Sequence, residues 1–193
     1  MNHPIVTHVD EVLARLREAS ISGPAVPGRE LVPHAALSWD AEGGDMDVSV
    51  TSEPGELLTV RVRVRAAPGW FTLPIGLGRA RFEPGDVLGL AAEVTSDKAR
   101  VLTLFLRAGT GDAKTDTEFA EPLELPEGHG FSTALTTLEP DDPACADGES
   151  YLSLILRFPK SDCALTLHDM RFFVVPAEKG LRSTERDLTT ATN

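Results

Sequence analysis

The sequence has little cysteine, a deficit of positive charge and no long hydrophobic run. Its 193 residues include two cysteines, Cys145 and Cys163, which are too few for a disulfide-rich scaffold or a four-cysteine zinc site. No stretch reaches the roughly 18 apolar residues of a membrane-spanning helix, so we expect a soluble protein without a membrane partner. The net charge of −12 argues against nucleic acid as a partner, because the phosphate backbone attracts basic surfaces.

The motifs of common catalytic and metal sites are also missing. The five histidines show neither the His-x-His nor the His-Glu-x-x-His spacing of transition-metal ligands. No serine or cysteine stands in a nucleophile motif, and no glycine-rich phosphate loop follows a predicted strand. We therefore expect that the protein is not an enzyme. We also expect no catalytic residue, no metal ligand and no cofactor. The acidic residues within 139–149 leave two interpretations open, a solvated loop or a structural calcium site.

The remaining composition predicts a globular protein of about one domain. Hydrophobic residues make up 41% of the chain and charged residues 25%, which excludes wholesale disorder. The first seven residues do not combine a basic segment with a hydrophobic one, as secretory signals do. We expect a cytoplasmic location, with export inside a particle or by a non-classical route as the alternative.

One amphipathic helix is predicted near the N-terminus, within residues 1–22. Over residues 7–19, apolar side chains recur at the spacing i, i+3, i+4, i+7 and form one stripe of Val9, Val12, Leu13 and Leu16. Thr7 is expected to cap the first turn of this helix. Two interpretations of the stripe remain open: it docks on its own domain, or it gathers copies of the chain into a homo-oligomer.

From residue 35 onward, apolar and polar residues alternate and turn residues recur, a pattern typical of an antiparallel β-sandwich or barrel. The pattern predicts about nine or ten strands within residues 35–175, of which nine have clear bounds. They are 46–50, 58–65, 70–77, 86–95, 100–108, 117–125, 131–138, 151–158 and 164–175. Residues 176–193, which are rich in threonine and charge, are predicted to form a mobile tail. The predicted fold class is all-β, an antiparallel jelly-roll sandwich preceded by a short helix.

Two details of pairing are predicted as well. A hairpin that turns at residues 52–56 gives the pairs Val50–Leu58, Asp47–Arg61 and Asp45–Arg63. In this register the arginine row 61, 63 and 65 is neutralised by cross-strand ion pairs, while binding of an anionic glycan is the alternative. In the last strand the core-facing parity changes between Leu167 and Met170, which predicts a β-bulge at residues 168–169.

Three segments carry a family pattern: residues 82–90 (FEPGDVLGL), 101–106 (VLTLFL) and 164–172 (ALTLHDMRF). The first begins a strand after a Pro-Gly-Asp turn, and the third closes the domain with a pair of polar residues between apolar ones. These segments resemble the jelly-roll carbohydrate-binding modules of the galactose-binding-like type, in particular families 4, 9 and 22. Over roughly residues 35–175, the resemblance implies a jelly-roll sandwich whose partner is a glycan or polysaccharide.

Two predicted strands carry matching rows that combine an aromatic residue, small hydroxyls and an arginine. Tyrosine and tryptophan offer an apolar plate with a polar edge, and arginine offers fork-shaped donors for hydroxyls or carboxylates. The candidate ligand-binding residues are Trp70, Phe105, Arg107, Tyr151 and Arg157. Two interpretations remain open: these rows form an exposed platform, or they belong to a second core layer beneath loops or the helix.

These observations predict a non-catalytic polysaccharide-binding module that serves a larger assembly. The alternative is a structural domain that attaches one protein to another without binding sugar, as in the spike or fibre of a phage-like particle.

Overall fold

The computed structural model describes residues 3–110, 113–146 and 148–179. Within these ranges the chain forms one α-helix, α1 (Pro4–Glu18), two single-turn 3₁₀ helices and fourteen strands. The strands are β1 (Ile21–Pro24), β2 (Glu30–Val32), β3 (Ala35–Ala36), β4 (Ser38–Trp39), β5 (Asp45–Ser52), β6 (Leu58–Ala66), β7 (Phe71–Ala80), β8 (Val87–Ser96), β9 (Arg100–Thr110), β10 (Ala113–Glu118), β11 (Leu123–Leu125), β12 (Gly128–Thr137), β13 (Ser150–Arg157) and β14 (Cys163–Val175). The 3₁₀ helices are Pro143–Cys145 and Ala177–Lys179.

The strands form two antiparallel sheets that face each other. One sheet has six strands in the order β1-β5-β6-β14-β8-β12. The other has eight strands, with the order β10-β9-β13-β7-β3-β2, while β11 pairs with β9 and β4 pairs with β7. Many neighbours in each sheet are distant in sequence, as Greek-key connections require. The fold class predicted from the sequence, a jelly-roll sandwich preceded by a short helix, is confirmed.

The alternation of residue types decides which side of each strand enters the core. In β9, Leu102, Leu104 and Leu106 are buried in the space between the sheets, and Val48 and Val50 of β5 enter it from the other sheet. Each fully buried side chain of this kind contributes about 1.5–3 kcal/mol relative to an exposed one. The intervening residues of the same strands therefore lie on the outer faces of the sandwich.

Helix α1 packs across the sandwich against β7 of one sheet and β14 of the other. Five of its apolar side chains belong to the common core: Ile5, Val9, Val12, Leu13 and Leu16. The Arg17 guanidinium pairs with the Asp169 carboxylate of β14 and joins the end of the helix to the sheet. Because the apolar stripe is buried within its own chain, a homo-oligomer formed through this stripe is without support.

The helix begins earlier than its apolar pattern predicts. It starts at Pro4, and Thr7 therefore lies inside the helix rather than at its cap. Proline suits the first helical position, because its fixed φ is helical and no partner is needed there for its missing N–H. His3 precedes the helix and stacks on the buried ring of Phe82, with 4.9 Å between the ring centroids. None of the described helices is long and apolar enough to cross a bilayer.

The β5–β6 hairpin differs from the predicted register by two residues. Val50 lies opposite Val60, and Asp47 lies opposite Arg63. The ion pairs also differ, because Arg65 binds both Asp45 and Asp47. The loop is longer than predicted, since the ladder closes only at the Thr51–Thr59 pair. A shift of two residues keeps every side chain on its predicted face, so alternation alone does not distinguish the two registers.

The β-bulge predicted in the last strand is confirmed. The register of β14 against β8 shifts between Leu167 and Asp169. His168 hydrogen-bonds to Thr95 (2.7 Å), whereas Asp169 pairs with Arg17 of the helix. Burial by itself would raise the pKa of Asp169, but the hydrogen bond and charge of Arg17 outweigh it and hold that pKa below its usual value. The two polar residues of the bulge therefore connect to different elements and do not form a pair.

Two other segments differ from the predicted strands. The predicted strand 117–125 is divided, because β10 ends at Glu118 and β11 begins at Leu123. Between them the backbone contacts both sheets: the Phe119 N–H donates to Leu104 O (2.9 Å) of β9, and the Glu121 N–H donates to Leu135 O (3.2 Å) of β12, before β11 pairs with β9 again. The predicted mobile tail begins with a 3₁₀ turn at 177–179, and its residues 180–193 lie outside the described residues.

Both cysteines are free and buried. Burial raises the pKa of each thiol, Cys145 and Cys163, to about 11, and the nearby carboxylates of Asp142 and Asp97 act in the same direction. Because the thiolate is the reactive form, the native thiols are about a hundredfold less ionised near neutral pH than ordinary ones. The cytoplasmic location stays a prediction.

We expect native Cys145 and Cys163 to react with iodoacetamide at pH 8 at least about 100-fold more slowly than in the unfolded chain. Mass spectrometry of the protein with and without guanidinium measures both rates, and glutathione calibrates the reagent. Stability should also fall as pH rises from about 9 to about 11, because only the unfolded chain releases these protons there. Equal alkylation rates in the two states would contradict the prediction.

Candidate functional site

A cleft of about 500 Å³ opens on the outer face of the eight-stranded sheet. The cleft lies over adjacent strands β9, β13 and β7, whose leucines point the other way, into the core. Its volume is within the range of small-ligand sites. The lining residues are Ser38, Trp70, Thr72, Pro74, Phe105, Arg107, Lys114, Ile155 and Arg157.

The strand register brings together the two rows that the sequence singled out. Ile155 of β13 lies opposite Phe105 of β9 on one side and Pro74 of β7 on the other. These three side chains form the apolar floor of the cleft, since they occupy the same face at the same level of three neighbouring strands. Arg157 lies one step along the same face, opposite Thr103 and Thr72.

Phe105 lies beneath two arginines. The guanidinium carbons of Arg107 and Arg157 lie 5.3 and 5.1 Å from the centre of its ring, which is cation–π distance. Only 4% of Phe105 is exposed, yet neither Phe105 nor Ile155 belongs to the core between the sheets. The ring is no open plate, and no loop or helix has to cover it, because arginine side chains do so.

The two arginines have different surroundings. Arg107 binds Asp116 of β10 through two hydrogen bonds, from Nε to Oδ1 (2.7 Å) and from Nη2 to Oδ2 (2.8 Å). The hydrogen bond to Asp116 raises the pKa of Arg107 above its already high value, although partial burial opposes this. Arg157 is exposed, and no acidic partner faces it among the described residues. Its donors are therefore free to bind a ligand.

Trp70 supplies the aromatic surface that Phe105 does not. It lies at the rim of the cleft, directly before β7, and 43% of it is exposed. The next residue, Phe71, points into the core, since neighbouring residues of an extended chain face opposite sides. The cleft thus combines one accessible indole ring, Trp70, with the fork-shaped donors of Arg107 and Arg157.

Tyr151 lies on the same face outside the cleft. It is 40% exposed, and Arg157 lies six positions further along β13, about 20 Å of extended strand away. Its hydroxyl lies 3.4 Å from Nδ1 of His34, a residue with a left-handed backbone (φ 71°). Burial and, to a smaller extent, the charge of Glu30 raise the pKa of Tyr151, so its phenol stays protonated at neutral pH.

The sequence did not identify every residue of the cleft. Thr72 and Pro74 follow Trp70 at intervals of two, so strand alternation was a sufficient signal for them. Ser38 and Lys114 come from strands that pair with β7 and β9, and no local pattern indicates those pairings. His34, which lies beside Tyr151, is 117 positions away in the sequence, so no local pattern indicated this contact.

The acidic loop is structured by its own hydrogen bonds. Asp142 accepts hydrogen bonds from the Thr117 hydroxyl (3.0 Å) and from the Glu139 N–H (2.6 Å). Nowhere in the described part of the chain do three His, Cys, Asp or Glu side chains converge on a metal position. Asp147, part of the predicted calcium alternative, lies outside the described residues.

The six-stranded sheet also carries an exposed aromatic residue on its own outer face. Phe131 of edge strand β12 is 74% exposed and borders a recess of about 310 Å³ with Glu93, Asp169 and Arg171. No sequence pattern indicated Phe131 as a candidate. It is a natural comparison for Trp70, because the two aromatic side chains lie on different sheets.

Solved structures of other proteins share the fold described above. No protein-family model and no curated protein matches the sequence. A solved family 4 carbohydrate-binding module has a TM-score of 0.56 at 13% identity, covering 79% of this chain and 95% of its own. A cyclase from Fischerella sp. TAU in complex with 4-(1H-indol-3-yl)butan-2-one has a TM-score of 0.50 at 14% identity, covering 84% and 94%. The xylan-binding domain CBM22-1 of Paenibacillus barcinonensis Xyn10C has a TM-score of 0.47 at 12% identity, covering 82% and 97%.

The family 4 module confirms the predicted likeness to jelly-roll carbohydrate-binding modules at the level of the fold. The same fold also carries a cyclase, so it does not by itself select a function.

Proposed function

We propose that this chain is a non-catalytic carbohydrate-binding module that serves a larger assembly and holds a glycan in the outer cleft of the eight-stranded sheet. The observation that carries the proposal is the exposed Trp70 ring at the rim of a cleft that also presents the Arg107 and Arg157 guanidiniums. A pyranose ring has an apolar face of C–H groups and a rim of hydroxyls. An indole surface fits that face, and guanidinium donors fit the rim.

The chemistry of the lining supports binding over catalysis. The described residues that line the cleft include neither a carboxylate nor an imidazole, the groups that most often transfer protons in enzymes. The raised pKa of Tyr151 disfavours the phenolate, which is the form a tyrosine base needs. A cleft with a stacking surface, donors and no acid–base pair is suited to hold a saccharide without cleaving it.

We expect Trp70→Ala to lose about tenfold or more in glycan affinity, because a stacked aromatic residue is a typical binding hot spot. A soluble polysaccharide panel in affinity electrophoresis identifies the ligand, and isothermal titration measures the loss. Phe131→Ala is the matched control, since it removes an exposed aromatic side chain from the other sheet. Unchanged affinity of Trp70→Ala for the bound glycan would contradict the cleft as its site.

The alternative function, attachment to another protein, draws on a different surface. Phe131 is the most exposed of the large apolar side chains that the structure describes, and it lies on an edge strand. Exposed apolar groups beside an unpaired strand edge suit protein contacts. Failure of the wild-type chain to bind any polysaccharide of the panel would favour this alternative.

A further inference from the structure

The cleft concentrates positive charge on a strongly acidic chain. Arg107, Lys114 and Arg157 line it, and among the described residues no carboxylate does. The chain as a whole has a net charge of −12. Cations gathered in one recess favour a ligand of opposite charge.

Two of the three cations have no carboxylate to neutralise them within the described residues. Arg107 is paired with Asp116, which fixes its guanidinium beside Phe105. The Arg157 guanidinium carbon lies 5.1 Å from the centre of the Phe105 ring, and its strand neighbours Thr103 and Thr72 are uncharged. Lys114 lies opposite Gly109, which is also uncharged.

One carboxylate lies close to this group without lining the cleft. Glu118 of β10 is the register partner of Phe105 and is exposed. Counting only these described residues, the three cations Arg107, Lys114 and Arg157 exceed the two carboxylates Asp116 and Glu118 by one charge. Arg157 is the arginine that remains unpaired. A ligand carboxylate therefore gains the most binding free energy at this position.

We infer that the cleft binds acidic saccharides, with Arg157 contacting the carboxylate of a uronate residue whose ring stacks near Trp70. The inference rests on the proposed function and specifies its ligand class. A guanidinium binds a carboxylate through two parallel hydrogen bonds, which a neutral sugar hydroxyl does not offer. The Phe105 ring holds the Arg157 guanidinium in place, so less freedom is lost when the ligand binds.

The test compares polysaccharides that differ in charge. Alginate, polygalacturonate and hyaluronate are the acidic probes, and barley β-glucan, neutral xylan and galactomannan are the neutral ones. We expect the wild-type chain to be retarded by at least one acidic polymer and to bind it at least tenfold more tightly than every neutral one. Methyl-esterified pectin, in which the carboxylates are blocked, should bind at least tenfold more weakly than polygalacturonate if the latter is the ligand.

Substitution of the arginine then tests its assigned role. Arg157→Gln should lower affinity for the acidic probe about tenfold or more, and Arg157→Lys should retain part of it. Arg61→Gln, which removes an exposed arginine from the six-stranded sheet, should bind as the wild type does. Thermal melting of each variant, expected within about 2 °C of the wild type, shows that the fold is retained.

The outcomes separate the inference from the proposed function. Equal or tighter binding of a neutral polysaccharide would overturn the charge preference while leaving a carbohydrate-binding cleft. Unchanged acidic binding by a folded Arg157→Gln would likewise overturn the role of Arg157. No retention by any of the six polymers would overturn both.

Discussion

Leu13→Asp is expected to give a protein without a cooperative thermal unfolding transition. Leu13 is 1% exposed and lies among core side chains between helix α1 and the two sheets. Loss of a buried leucine costs about 2–5 kcal/mol, and burial of an unpaired carboxylate costs several kcal/mol more. The sum is comparable to the whole free energy of unfolding of an ordinary domain, about 5–15 kcal/mol.

Arg15→Asp is the matched control, because it introduces the same side chain on the exposed face of the same helix. It removes the Glu11–Arg15 pair and places a negative charge near the C-terminal end of the helix. Each change costs a few tenths to about 1 kcal/mol at such a surface position. Calorimetry and circular dichroism of both variants measure the difference. A wild-type transition in Leu13→Asp would show that the helix is dispensable for the sandwich.

Phe71→Ala is expected to lower the free energy of unfolding by about 3–5 kcal/mol, or the melting temperature by roughly 6–20 °C. The Phe71 ring is fully buried and packs against Trp39 (6.1 Å between centroids) and Phe158 (5.0 Å). The lost contacts include aromatic pairs, which add about 0.5–1.5 kcal/mol each beyond the area they bury.

The neighbouring residue provides the control for this variant. Trp70→Ala should change the free energy of unfolding by about 1 kcal/mol or less, because its ring lies at the exposed rim of the cleft. Adjacent aromatic residues thus separate the two properties: Phe71 contributes to stability, and Trp70 to the proposed binding. Denaturant titration compares the two variants, and equal losses of stability would contradict the opposite orientation of their side chains.

Local sequence patterns were sufficient to predict most of the strands. The alternation in β5, β6, β9 and β13 indicated which residues share a face, and those faces are the ones observed. The change of parity after Leu167 located the bulge, because one inserted residue is the only way to keep both halves of β14 against the core. These features depend on neighbours in the sequence.

Patterns that repeat every two residues do not fix register. Val50 pairs with Val60 rather than Leu58, and both registers place the same residues in the core. The short strands β1–β4 are likewise too brief to show alternation, although they extend both sheets. Their positions follow from the strands to which they bond: β1 bonds to β5, β3 and β4 bond to β7, and β2 bonds to β3.

The sequence by itself determined the fold class, the inward and outward rows and four residues that share the cleft, because side-chain direction in a strand is a local property. The tertiary structure decided that β9, β13 and β7 are adjacent, that the Phe105 ring lies under two guanidiniums, and that Tyr151 meets His34 instead of the cleft. These features depend on hydrogen bonds between strands far apart in the chain. Strand pairing decides which side chains are neighbours on the surface, and the contacts of the long side chains follow from it.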